Sequence, residues 1–114
     1  MKQVYIILRP NRYYKTKEAL VKNNFFSLSS KDVLGRGKSG VDYVTKDGDK
    51  VSKQFFVAKK MMEIFCRDED VEALIQIVKD INQTGNSGDG KIFVIDVEDG
   101  TRIRTGENGV NSLM

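Results

Sequence analysis

The spacing of apolar residues changes period along this chain, and each change marks an element. Residues 4–8, Val-Tyr-Ile-Ile-Leu, form a continuous run rich in β-branched and aromatic side chains that stops before Pro10, the pattern of a buried strand. Residues 12–23 then take helical spacing: Tyr13, Thr16 and Leu20 share a face with Ala19 beside them, and Asn11 is placed to cap the start. A second strand is predicted over about residues 27–34. It runs into Gly35-Arg36-Gly37-Lys38-Ser39-Gly40, where glycine's freedom in φ is expected to end regular pairing. The polar stretch that follows predicts a flexible loop over about residues 38–57, with Asp47-Gly48-Asp49 as its turn. Loops beyond about 12–15 residues are uncommon in compact domains and often functional. Tyr43, Val44 and Thr45 give this one the means to form a short hairpin arm.

Residues 60–66 alternate, with Met62, Ile64 and Cys66 on one side and Met61, Glu63 and Phe65 on the other, which predicts a third strand. The clearest helix follows. Val71, Leu74, Ile75, Val78 and Ile81 make one stripe, Asp68 is placed as its cap, and Glu69 and Asp70 suit the positive end of a helix. After a glycine-rich stretch, residues 91–97 predict a fourth strand. The order βαββαβ indicates the α+β class and a ferredoxin-like sheet with both helices on one face. The other face is then bare in a single copy, and the first and fourth strands are apolar enough to need cover on both sides, so assembly through that face is expected.

With 114 residues, one domain accounts for the whole chain, residues 1–114, with a C-terminal segment over about 101–114. The apolar run near the start is too short for a signal-peptide core or a membrane span, so no direct membrane insertion and a cytoplasmic location are expected. Cys66 stands alone, so no intrachain disulfide can form, and a buried strand thiol is its ordinary reading. The absence of histidine removes His-ligated zinc and Ser-His or Cys-His catalysis, and no residue stands out as a catalytic group. The net charge of +3 is too small to draw the chain to a nucleic-acid backbone, although residues 1–24 carry six cations to one anion and residues 61–114 five to eleven.

Three features could hold an anion. The first, residues 35–40, ends in Gly-Lys-Ser but lacks the glycine a P-loop needs where Asp32 stands, and no helix follows it. It remains a glycine turn carrying cations, able to offer backbone N–H groups to a phosphate. The second is Gly88-Asp89-Gly90-Lys91, where two glycines permit close approach and the lysine adds a point charge. The third is Arg102-Ile103-Arg104-Thr105-Gly106, whose arginines point the same way if the segment is extended. Read singly, the second is an ordinary turn and the third a solvated edge. The second opens the last strand and the third follows its end, so they need not meet within one subunit.

Thr84-Gly85, Gly88-Asp89-Gly90-Lys91-Ile92-Phe93-Val94 and Arg102-Ile103-Arg104-Thr105-Gly106-Glu107 closely resemble, in letters and spacing, the C-terminal signature of PII signal transduction proteins. Arg9-Pro10, Lys17-Glu18-Ala19-Leu20 and Val33, Gly35 and Gly37 resemble the N-terminal half, so the likeness covers nearly all of the chain outside residues 39–57. The resemblance implies a homotrimeric regulator, able to mix with a paralogue, that binds ATP or ADP between subunits and contacts an enzyme or transporter through its loop. It implies that Ile7, Gly35, Arg36, Gly37 and Lys38 line the nucleotide, that Leu28, Ser29, Glu63 and Phe65 lie near base and ribose, and that Gly88, Asp89, Gly90 and Lys91 hold phosphates. Arg102 and Arg104 would come from the neighbouring chain.

In many family members 2-oxoglutarate binds with Mg-ATP, and Ser39, Gly40 and Lys59 occupy the matching positions. Ser39 stands where those members carry glutamine, which weighs against the metal-linked ligand. The loop lacks the tyrosine motif that is uridylylated in enteric relatives, so no such modification is expected. Gly35-Arg36-Gly37-Lys38 with this loop resembles the subgroup associated with nitrogenase. Two other readings are weaker. A single-stranded RNA-binding module shares the βαββαβ order, but residues 60–66 lack the basic-glycine-aromatic run of its stacking strand. A nucleotide-hydrolysing enzyme lacks a general base.

Overall fold

The computed structural model describes the backbone of residues 1–44 and 51–113 and the side chains of residues 1–36 and 56–113. Strands β1 (Lys2–Leu8), β2 (Leu28–Val44), β3 (Val51–Cys66) and β4 (Lys91–Asp96) alternate with helices α1 (Tyr13–Lys22) and α2 (Val71–Asn82) in the expected order. They form one antiparallel sheet in the order β2-β3-β1-β4, which is the ferredoxin-like arrangement.

The two-residue alternation of β1 decides how the core is built. Val4, Ile6 and Leu8 are buried with Met62, Ile64 and Cys66 of β3, and Leu20, Leu74 and Val78 from the helices close over them. Thr16 and Asn82 are the polar exceptions. Thr16 Oγ1 donates to Arg12 O at 2.8 Å, and Asn82 Nδ2 reaches both Thr16 Oγ1 at 3.0 Å and Val78 O at 2.9 Å, tying α1 to α2. Asn82 Oδ1 finds no partner among the described residues.

Several expectations change here. Pairing does not end at the glycines: it breaks between Arg36 and Val41 and resumes from Val41↔Gln54 to Val44↔Val51, so β2 and β3 continue well into the segment expected to be loop. Beyond Asp32↔Lys60 neither strand pairs with a third among the described residues, since the last pairing of β1 with β3 is Leu8↔Lys60. A two-stranded ribbon of this kind is marginal in water without further contacts. The Asp47-Gly48-Asp49 turn lies outside the described residues.

Neither predicted cap forms. Pro10 opens a 3-10 turn, Pro10–Arg12, that absorbs Asn11, so Arg12 precedes α1 without a side-chain cap. Asp68 lies in a second such turn, Asp68–Asp70, and takes the N-terminal ammonium at 2.6 Å instead.

The last strand sits at the sheet's edge, outside β1. Phe93 is 50% exposed and Ile95 42% exposed, both on the face away from the helices. Among the described residues no helix is long and apolar enough to cross a membrane.

Candidate functional site

The segment 84–90 joins α2 to β4, and its shape is dictated from inside by one carboxylate. Asp89 Oδ2 accepts from the backbone N–H of Thr84 at 2.8 Å and of Gly85 at 2.9 Å, while Oδ1 accepts from Thr84 Oγ1 at 2.5 Å and Arg9 Nη1 at 2.7 Å. These donors, led by the Thr84 hydroxyl and amide, hold the Asp89 carboxyl well below the usual carboxylate range. Asp89 was expected to help hold phosphate. Its carboxylate is instead committed to its own loop, and what the residue can offer a ligand is its backbone.

Two cations from other elements complete the bracing. Arg9, just past β1, also donates to Ser87 O at 2.9 Å, and Lys59 Nζ, from β3, donates to Gly88 O at 2.8 Å. Burial of the Lys59 ammonium, with Arg9 close by, lowers its pKa from the ordinary value. The stem of Lys59 crosses Gly35, where a Cβ would lie 3.1 Å from Lys59 Cγ. Lys59 therefore touches both the root of the β2–β3 ribbon and the glycine loop.

Glycine is required at position 90, where φ is +108° and a Cβ would be driven into the carbonyl of Ile7, 2.9 Å from its carbon and 3.2 Å from Leu8 Cα. Gly88, at φ +95°, has Arg9 Nη2 and Lys59 Nζ each 3.4 Å from the Cβ position. Among the described residues no hydrogen bond uses the backbone N–H groups of Ser87, Gly88 or Asp89. Unpaired amides beside Arg9, Lys59 and Lys91 make an anion cradle in chemical terms.

The sheet register shows which expected site residues share a face. Ser29, Glu63 and Tyr5 lie in one cross-strand row, Met61, Ile7 and Lys91 in the next, with Phe65 opposite Gln3 on the same side. Gly35 continues this side of β2, opposite Val57, and Arg36 alternates to the other. Leu28 departs from expectation: it packs against the core beneath the helices, on the far side of the sheet from Ser29. Gly37, Lys38, Ser39 and Gly40 belong to β2, with side chains outside the described residues.

A cleft of about 380 Å³ opens between α2 and the β1–β4 edge. Ile7, Ile75, Val78, Gly90, Lys91 and Ile92 are among its lining residues. It borders the glycine loop, and nothing in the sequence pattern marked it.

At the other end of β4, residues 101–108 do not take the extended form under which the two arginines would point the same way. A bridge between Thr101 and Asn108 closes them into a turn, with Gly106 N donating to Arg102 O at 2.7 Å. Arg102 is held inside it, Nη1 on Glu107 Oε1 at 3.1 Å and Nη2 on Asn111 O at 2.9 Å. Ile103 and Arg104 point outward. Ile103 is fully exposed, and Arg104 makes no ion pair among the described residues. The arginines and the glycine loop are separated by the length of β4, which pairs Lys91 with Ile7 at one end and Asp96 with Lys2 at the other. Five steps at about 3.3 Å put roughly 16 Å between those ends.

Sequence reasoning overlooked Arg9 and Thr84 as builders of the site. Both belong to segments already noted, but only the fold brings Arg9 to residue 89. Among the described residues no cluster of acidic or thiol groups could hold a metal ion.

A family profile described as nitrogen regulatory protein P-II matches residues 1–107. A Methanothermobacter marburgensis protein named nitrogen fixation nifHD region GlnB-like protein 2 is 39% identical, over 99% of this chain and 100% of its own length. A similarly named protein of Methanosarcina barkeri is 36% identical, over 99% of both. The structure of Bacillus subtilis GlnK in complex with ATP superposes with a TM-score of 0.79 at 31% identity, covering 98% of this chain and 96% of that one.

Proposed function

The chain belongs to the nitrogen regulatory P-II family, beside relatives named for nitrogen-fixation regions, and we propose that it is a homotrimer binding ATP and ADP in clefts between subunits. One observation carries the reading: a cationic glycine loop and an arginine turn lie at opposite ends of β4, so a single polyphosphate can touch both only if they come from two copies. The solved complex of GlnK with ATP lends the ligand.

In this reading the amides of residues 88–90 and Lys91 take the phosphates, and Arg102 and Arg104 reach them from the neighbour. Ile7, Ser29, Gly35, Glu63 and Phe65, which share the open face, surround base and ribose; Arg36, Gly37 and Lys38 approach along β2. Leu28, half-buried, packs its side chain against the core, so its backbone beside Ser29 is what it offers the nucleotide.

Lys59 connects this site to the β2–β3 ribbon, so ATP and ADP, which differ in the charge they bring to Gly88, favour different ribbon positions. The ribbon then docks on or leaves a target of nitrogen metabolism, nitrogenase being the foremost candidate. Support for 2-oxoglutarate with Mg is thinner, since Lys59 already donates to Gly88 O and Ser39 replaces the glutamine of the family pattern.

The test is calorimetry with ATP, ADP and 2-oxoglutarate, singly and combined with magnesium, alongside light scattering for the oligomeric state. Saturable adenylate binding to a trimer is expected. A monomer without affinity for either nucleotide overturns the reading.

A further inference from the structure

Ile103 stands at the tip of the 101–108 turn, 100% exposed between two arginines. Single exposed apolar residues are common and need no explanation of their own. The setting of this one does. Its turn is fixed by internal hydrogen bonds, so the side chain is presented rigidly, at little ordering cost to a contact with another surface.

The surface the turn must meet, if loop and turn form one intersubunit site as read above, is the β4 edge near Gly90. The cleft bordering that loop takes its apolar wall from Ile75, Val78 and Ile92, with Lys79, Gln83 and Asp89 at its rim, a recess at an unpaired strand edge. Charge gives Arg104, which has no ion pair among the described residues, no attraction there. Lys79 and Lys91 line the same cleft, Arg9 and Lys59 stand behind it, and Asp89, the nearby carboxylate, is bound to Arg9 and Thr84. Arg104 would arrive as a like charge, while Arg102 comes already paired with Glu107. Apolar contact has to supply the attraction, and an anion on the loop relieves the repulsion.

We propose that Ile103 of one copy seats in the α2–β4 cleft of the next, and that this anchor positions the flanking arginines over residues 88–91. Ligand and subunit contact are then linked: nucleotide tightens the seating, and the seating tightens nucleotide binding.

The test pairs a cross-link with an affinity measurement. Within one chain, positions 103 and 83 lie at opposite ends of β4, too far apart for a disulfide. The double variant Ile103→Cys/Gln83→Cys should therefore form interchain disulfides under mild oxidation, faster with ATP, while Ile103→Cys/Lys22→Cys should not. Ile103→Asp should keep wild-type circular dichroism, lose about tenfold or more in ATP affinity and dissociate more readily, with Ile103→Leu close to wild type. If the wild type assembles and binds ATP, yet no interchain disulfide forms and Ile103→Asp binds normally, the anchor is wrong and the nucleotide reading stands. If the wild type neither assembles nor binds ATP, both fall.

Discussion

The two segments that bracket β4 are both short, polar and glycine-containing, yet they are held in opposite ways. The loop 84–90, tied to itself by the Asp89 carboxylate, is also braced from outside, by Arg9 from the end of β1, Lys59 from β3 and the backbone of Ile7 against Gly90. The turn 101–108 is braced from within and by the C-terminal residues just after it, through Thr101–Asn108, Arg102–Glu107 and Arg102–Asn111. A segment shaped by distant elements transmits any change to the sheet. One shaped by itself can present its outward residues to another molecule without endangering the fold.

Substituting glycine in each segment sharpens this contrast most. At Gly90 an alanine meets both the unfavourable φ and the main chain of β1, which cannot withdraw without disturbing the central strand. Gly90→Ala should lose about 3 kcal/mol or more in urea unfolding. At Gly106 φ is +75° but nothing lies within 4 Å of the Cβ position, so only the backbone strain remains and Gly106→Ala should lose about 1 kcal/mol. Equal losses would erase the distinction between the segments.

Asp89 offers a second break, readable by pH. Its carboxyl titrates below its unfolded value near 3.9, so it stabilises the fold fully above that value and the contribution fades as pH falls toward the lower native one. Asp89→Asn replaces one acceptor oxygen with a donor facing the loop's own N–H groups. The variant should melt lower than wild type at pH 7, with the gap closing below about pH 4. A gap independent of pH would mean that the charge on Asp89 does not shape the loop.

What was legible in the sequence follows from how local each cause is. The stripe of α2 and the alternation of residues 60–66 report burial at fixed period, and both emerged as expected, with Leu74, Val78, Met62 and Ile64 in the core. The glycine loop was visible as a motif because its amides and glycines are consecutive. Caps were misread at Asn11 and Asp68 because in each case a 3-10 turn, one begun by Pro10 and the other holding the N-terminal ammonium, moved the helix start. The continuation of β2 past the glycines depends on a partner strand that no local pattern specifies. The bracing role of Asp89, the placement of Leu28 under the helices and the α2–β4 cleft are all products of packing between elements far apart in sequence.

The smallest effect on the fold, and the most discriminating for function, belongs to Arg104. It lies on the self-contained turn, exposed and outside any described ion pair, so removing it leaves no buried partner stranded. Arg104→Ala should shift unfolding by no more than about 0.5 kcal/mol. A guanidinium that meets polyphosphate makes charge-assisted hydrogen bonds absent from the free protein, so ATP affinity should fall about tenfold or more in the same variant. Arg102→Ala provides the contrast, because that side chain also closes the turn onto Glu107 and Asn111 and its loss should lower both stability and affinity. Calorimetry beside urea unfolding separates the two variants. If Arg104→Ala binds ATP as wild type does, the arginine turn does not reach the phosphates, and the cleft between subunits has to be completed by other residues.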